Sequence, residues 1–184
     1  MTVGVRKPAV FLDRDGVLTE ERSYVTCLEE LKIFPFAQMC VEQIHKKGYY
    51  AIVVTNQSGI ARGLFTESQL EEMNRFLIET TGVDAVYYCP HHPQGKIERY
   101  GIECQCRKPK TGMFEKACRD FAIDMGMSFM VGDRAGDVIA GENAGLQTVL
   151  AESGYGLARL EAEVAPDHII QDLRELTEVL PYIG

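Results

Sequence analysis

The chain has 184 residues, 46% of them hydrophobic and 25% charged, ordinary proportions for a folded domain that exclude a disordered or fibrous protein. Its formal net charge of −8 excludes a general nucleic-acid binder, because phosphate backbones reward clustered Lys and Arg. No apolar run is long enough for a signal-peptide core or a membrane span, so the expectation is a soluble, cytoplasmic, monomeric protein forming one unit over residues 1–184. In chain order, short apolar runs alternate with amphipathic stretches. A strand is expected at 8–12 (PAVFL), a helix at 36–47, a strand at 50–54 (YAIVV) and a helix at 66–80. The second helix opens on a Thr66–Gln69 capping-box pattern and sets Leu70, Met73 and Leu77 on one face. Further strands are expected at 85–88, 129–131, 147–150 and 168–170, with helices at 112–123, 135–143 and 173–180. Strands alternating with helices predict an α/β fold, a Rossmann-like, mostly parallel sheet with helices on both faces. In such sheets ligands bind beyond the carboxyl ends of the strands.

The first strand ends in Asp13-Arg14-Asp15-Gly16, two carboxylates suited to a hard cation, or else a solvated acidic turn. The second ends in Thr55-Asn56-Gln57-Ser58-Gly59, with Arg62 just beyond, where hydroxyl, amide and backbone N–H groups can cradle an oxyanion; an ordinary polar loop reads the same way. The fourth ends in Gly132-Asp133-Arg134-Ala135-Gly136-Asp137. Asp133 repeats the strand-end position of Asp13, whereas Asp137 reads as an acidic residue favourable near a helix N-terminus. Residues 96–110 carry five basic and two acidic side chains, a local charge of +3 that ends in Arg107-Lys108-Pro109-Lys110 and focuses anions.

These four pieces in this order (DRDGVL, VVTNQSGIARG, CRKPKTGM and VGDRAGD) resemble the haloacid dehalogenase superfamily of phosphohydrolases. The CPHHP…CQCRKP segment is similar to the branch holding the heptose-bisphosphate and histidinol-phosphate phosphatases. The resemblance implies Asp13 as nucleophile and Asp15 as general acid and base, with Thr55 and Lys108 on the phosphoryl oxygens and Asn56 nearby as a substrate-binding residue. It implies Mg²⁺ held by Asp13, the backbone carbonyl of Asp15, and Asp133. It also implies a substrate pocket made by Glu21, Tyr24 and Arg134, with Arg107 on a second phosphate; no long insertion follows Gly16 or lies between the third and fourth strands, so no large cap domain is expected.

Cys89-x-His91, twelve residues, then Cys104-x-Cys106 supplies a Cys₃His set suited to tetrahedral zinc. Spacing leaves His91 and His92 open, and the resemblance favours His91. Four protein ligands close the coordination sphere, so the zinc loop at 89–106 is expected to be structural and to fix Arg107 and Lys108. The resemblance implies heptose 1,7-bisphosphate cleaved at its 7-phosphate, with histidinol phosphate as the alternative, and the Arg22, Arg62, Arg107 and Lys108 set favours the doubly phosphorylated sugar of the two. The chain has Glu21-Arg22-Ser23-Tyr24 where familiar bacterial relatives have an Asp-His-Gly-Tyr type sequence, and Arg134 where some carry Lys. A zinc-stapled binding module without turnover is the reading from another class, and intact Asp13, Asp15, Lys108 and Asp133 oppose it.

Overall fold

A computed structural model describes residues 6–183. Six strands form one parallel sheet in the order β3-β2-β1-β4-β5-β6: β1 (Ala9–Leu12), β2 (Tyr50–Asn56), β3 (Ala85–Cys89), β4 (Phe129–Gly132), β5 (Gln147–Ala151) and β6 (His168–Ile170). Every residue of β1 is buried, as a central strand covered on both faces requires. Alternation along the strands divides the core. Val10, Leu12, Val53 and Val131 pack with α1 (Ala37–Lys46), α2 (Glu67–Thr81) and α5 (Leu176–Val179) on one face. Phe11, Ile52, Val54 and Met130 pack with α3 (Gly112–Asp120) and α4 (Ala135–Asn143) on the other. Phe11 and Phe114 meet edge to face with ring centroids 5.0 Å apart, an arrangement the aromatic quadrupole favours.

The element boundaries follow local chemistry. α2 begins where the Thr66–Gln69 capping box forms, and it stops at Gly82, whose φ of 77° suits a left-handed C-cap. β2 runs on to Asn56, beyond the expected end, because Thr55 and Asn56 pair with Tyr88 and Cys89 of β3. α3 stops short of Ile123, which bridges to Lys7 instead. The expected last helix divides into a 3₁₀ turn at Leu173–Glu175 and α5.

The chain leaves β1 to lay β2 and β3 on one side, then crosses back to lay β4, β5 and β6 on the other. The order therefore reverses between β1 and β4, and a crevice opens at their carboxyl ends. No large cap domain stands over it: among the described residues, 13–36 holds only one 3₁₀ turn, Leu28–Glu30, and 90–111 holds no helix or strand.

Candidate active site

Asp13 and Asp133 leave the adjacent ends of β1 and β4 and Asp137 lies in the first turn of α4, with carboxylate oxygens within 4.8 Å of one another. All three are buried. Two cations answer them: Lys108 Nζ donates to Asp13 Oδ1 at 2.9 Å and to the carbonyl of Val54 at 2.7 Å, and lies 2.7 Å from Asp137 Oδ1, while Arg134 Nε lies 3.7 Å from Asp133 Oδ1. Burial alone would lower the Lys108 pKa, but Asp13 and Asp137 outweigh it and hold the ammonium above its ordinary range.

Asp133 is fitted into a slot. A Cβ on Gly16 or on Gly154 would stand 2.4 Å or 2.1 Å from Asp133 Oδ2, so only glycine permits this approach from either side. The N–H of Tyr155 donates to Oδ2 at 2.9 Å, while Oδ1 is buried and makes no hydrogen bond. Burial, reinforced by Asp13 and Asp137, pushes the Asp133 carboxyl up to about 8. Burial also raises Asp13 to about 6 against the pull of Lys108. Three crowded carboxylates, one ammonium and a buried carboxylate oxygen without a hydrogen bond fit a hard divalent cation that takes oxygen ligands.

Asp15 stands outside this group. Its carboxylate accepts from Arg14 Nε and Nη2 at 3.0 and 2.9 Å, from Thr19 Oγ1 at 3.1 Å and from Gln57 Nε2 at 3.0 Å. Gln57 Nε2 also donates to Thr55 Oγ1 at 3.0 Å, which links the ends of β1 and β2. Asn56 faces the same pocket, but its carboxamide is engaged by the backbone of Lys108. Oδ1 accepts from Lys108 N–H at 3.0 Å and Nδ2 donates to Lys108 O at 3.1 Å. Asn56 therefore clamps the lysine backbone while lining the pocket in which the sequence expects it to bind substrate.

Asp13, Asp15, Thr55, Asn56, Gln57, Lys108 and Asp137 line a pocket of about 140 Å³ together with Glu21, Tyr24, Arg107 and Arg134. Arg134 Nη2 donates to Glu21 Oε2 at 2.8 Å, and its guanidinium lies 4.3 Å from the Tyr155 ring centroid. Two sequence-predicted pocket residues are thus paired with each other. Arg107 Nη1 donates to the carbonyl of His91 at 3.3 Å, which ties the pocket to the thiol cluster behind it.

In that cluster Cys89, at the end of β3, meets Cys104 and Cys106 with sulfur separations of 3.1 to 3.5 Å. His91 Nδ1 lies 3.4 Å from Cys106 Sγ and 3.8 Å from Cys89 Sγ. The sulfurs are free thiols. Bonds of roughly 2.3 Å from one tetrahedral metal to each sulfur would set sulfurs roughly 3.8 Å apart, close to this arrangement. Hydrogen bonding to its neighbours, Cys89 first, draws the Cys106 pKa down to about 5, so one thiolate is ready in the group. His92 turns away towards Arg62, which resolves the choice that spacing left open.

The HAD-hydrolase-like family model matches residues 105–176. The D-glycero-beta-D-manno-heptose-1,7-bisphosphate 7-phosphatase of Haemophilus ducreyi is 42% identical over 185 residues, covering 97% of this chain and 99% of the relative. The chain belongs to this family of HAD-like phosphatases. The crystal structure of the D,D-heptose 1,7-bisphosphate phosphatase from B. bronchiseptica, complexed with magnesium and phosphate, has a TM-score of 0.80 and 30% identity. It covers 94% of this chain and 97% of its own. A putative HAD-like phosphatase from Mesorhizobium loti has a TM-score of 0.79 and 32% identity, covering 94% and 85%.

Sequence reasoning on this HAD-like phosphatase missed three residues of the site. Asp137 does sit in the first turn of α4, where its Oδ2 accepts from Arg134 N–H, but its other oxygen reaches Lys108. Gln57 and Arg14 hold Asp15. Arg14 is only 1% exposed, an arginine burial that calls for a partner and could have been suspected from its place between two aspartates.

Proposed function

We propose that this phosphatase removes the 7-phosphate of D-glycero-D-manno-heptose 1,7-bisphosphate through an aspartyl-phosphate on Asp13. The chemistry rests on one observation above all: three buried carboxylates clustered where β1 and β4 end, two of them on Lys108 and the third, Asp133, with an Oδ1 that makes no hydrogen bond and faces Arg134 Nε at 3.7 Å. The substrate is that named for relatives such as the H. ducreyi enzyme. Asp13 attacks phosphorus in line, and water later cleaves the aspartyl-phosphate, which divides one difficult displacement into two easier ones. Lys108, aimed by Asn56 and Asp137, trades its bond to Asp13 for phosphoryl oxygens, and Thr55 assists. Asp15 gives a proton to the leaving sugar alkoxide and takes one from the attacking water, a role worth roughly 10²–10⁴-fold. Gln57, Thr19 and Arg14 keep that carboxylate oriented.

Magnesium suits the Asp13 and Asp133 carboxylates and the Asp15 carbonyl; when bound it offsets the repulsion between an anionic nucleophile and an anionic phosphoryl group. Zinc suits Cys89, His91, Cys104 and Cys106 as a structural ion that stiffens the loop before Arg107. Glu21, Tyr24 and Arg134 shape the sugar side of the pocket, and Arg107 faces the second phosphate. A reducing cytoplasm suits six free thiols. The whole of 1–184 acts as one catalytic unit with the 89–106 loop as its insert.

The test is phosphate release from heptose 1,7-bisphosphate, heptose 7-phosphate and histidinol phosphate. The bisphosphate should be preferred, and Asp13→Asn should release no phosphate from any of them. A preference for histidinol phosphate overturns the substrate, and full turnover by Asp13→Asn overturns the nucleophile.

A further inference from the structure

The chain leaves β5 through a turn at residues 152–155. In the sheet β4 lies between β1 and β5, so this turn and the one after β1 flank Asp133. The two turns are tied to each other, because Ser153 Oγ donates to the carbonyl of Gly16 at 2.6 Å. The turn after β5 also holds Asp133 twice. The N–H of Gly156 donates to the Asp133 backbone carbonyl, and the N–H of Tyr155 donates to its side-chain Oδ2, each at 2.9 Å. Gly16 and Gly154 press on that same Oδ2, closer than any Cβ would allow. Oδ1 is treated differently. It is buried and makes no hydrogen bond, and the Arg134 Nε that it faces stands 3.7 Å away.

A carboxylate held in this way offers a cation one oxygen and not two. Turning it to present both would break the Tyr155 bond and drive the carboxylate against glycine backbone. That distinction separates hard cations. Calcium takes about six to eight oxygens at roughly 2.3–2.6 Å and commonly uses both oxygens of one carboxylate. Magnesium demands near-octahedral geometry at roughly 2.0–2.1 Å and keeps several waters. Ser153 acts on the other side of the same site. The carbonyl that it grips belongs to Gly16, next in the chain to the Asp15 carbonyl of the magnesium reading, so its hydroxyl restrains the spacing between the two turns. We infer that residues 153–156 set the cation selectivity of the site. Ser153 and the backbone N–H of Tyr155 are positioning groups that hold Asp133 to one donor oxygen and so favour magnesium over calcium. This rests on the magnesium reading above and adds to it groups that touch neither substrate nor reacting atoms.

The experiment titrates magnesium and calcium separately into the full chain, purified without chelators, and compares the two affinities by isothermal calorimetry. Tyr155→Pro removes the N–H at a residue whose φ of −75° already suits proline. It should lower the magnesium-to-calcium affinity ratio about 10-fold or more, the effect of losing a hydrogen bond to a charged group. Tyr155→Ala keeps the N–H and loses only the ring beside Arg134, so its ratio should stay within about twofold of the unmodified protein. Ser153→Ala should lower the ratio about 2–12-fold, and Ser153→Thr, which keeps a hydroxyl, should recover it. Melting temperatures establish that each variant folds, and the Ser153 pair decides if the proline variant does not. Folded Tyr155→Pro or Ser153→Ala protein with an unmoved ratio overturns the inference, as does a Tyr155→Ala ratio that falls as far as that of Tyr155→Pro. Unmodified protein that binds calcium as tightly as magnesium overturns it too. Unmodified protein that binds neither cation overturns the magnesium reading itself.

Discussion

The crowding of Asp133 has a thermodynamic signature that can be measured without substrate. In the folded protein its carboxyl is raised from the ordinary 3.8 to about 8, mainly by burial. The folded state therefore holds this proton more tightly than the unfolded chain does. The corresponding stability is fully present below the unfolded pKa near 4, declines as pH rises above it, and is gone above about 8. A tenfold difference in proton affinity corresponds to about 1.4 kcal/mol, so ionising Asp133 costs the magnesium-free protein at most about 6 kcal/mol. Asp13, raised to about 6, belongs to the same cluster and its share does not simply add. For a domain of this length about 1 kcal/mol moves the melting temperature by about 2–4 °C. The melting temperature in magnesium-free buffer should then fall by roughly 5–15 °C between pH 5.5 and 8.5. Strong chelators are avoided, because they would also strip the zinc proposed for the thiol site. Magnesium should restore most of the loss at pH 8.5 and little at pH 5.5, where protons compete for the same oxygens. Asp133→Asn should flatten the pH profile, raise the magnesium-free melting temperature at pH 8.5 and abolish the response to magnesium. A magnesium-free profile that is level or rises from pH 5.5 to 8.5, unchanged in Asp133→Asn, would refute the assignment of this cluster as a cation site.

Asn56→Ala removes both hydrogen bonds that clamp the Lys108 backbone while leaving the ammonium in place. At about 1 kcal/mol net per bond, kcat should drop roughly 10–30-fold, with KM for the bisphosphate changing much less; an unchanged kcat in steady-state assays speaks against the clamp. Cys104→Ser should cost the protein about one equivalent of zinc by elemental analysis and most of its activity, yet keep its helical circular dichroism, since both faces of the sheet have their own packed cores. Full activity in zinc-free Cys104→Ser protein refutes the role given to the loop.

The parts of the molecule legible in its sequence are those whose signal is local. The apolar run of β1, the capping box at Thr66 and the aspartates that end β1 and β4 each announce themselves within a few residues. The sheet order and the pairings that depend on it do not. Asp137 is indistinguishable from an ordinary first-turn acid of α4 until Lys108 arrives from the loop before α3. Gln57 reads as one more polar residue of a turn, and gains a task only because β2 lies beside β1 and brings it to Asp15 and Arg14. Asn56 has a second task that residue type alone does not reveal. A carboxamide at a strand end suits an oxyanion, but the same two atoms satisfy one N–H and one C=O of a neighbouring backbone, and a buried backbone group has no water to turn to. The choice between His91 and His92 turns on direction. Cys89 closes a strand, which aims the residue two further on back at the sulfurs and the next one outwards to Arg62. The residues that perform the proposed chemistry are thus visible in the sequence as types at strand ends. The residues that aim them become visible only once the chain has crossed from β3 back to β4 and closed the crevice.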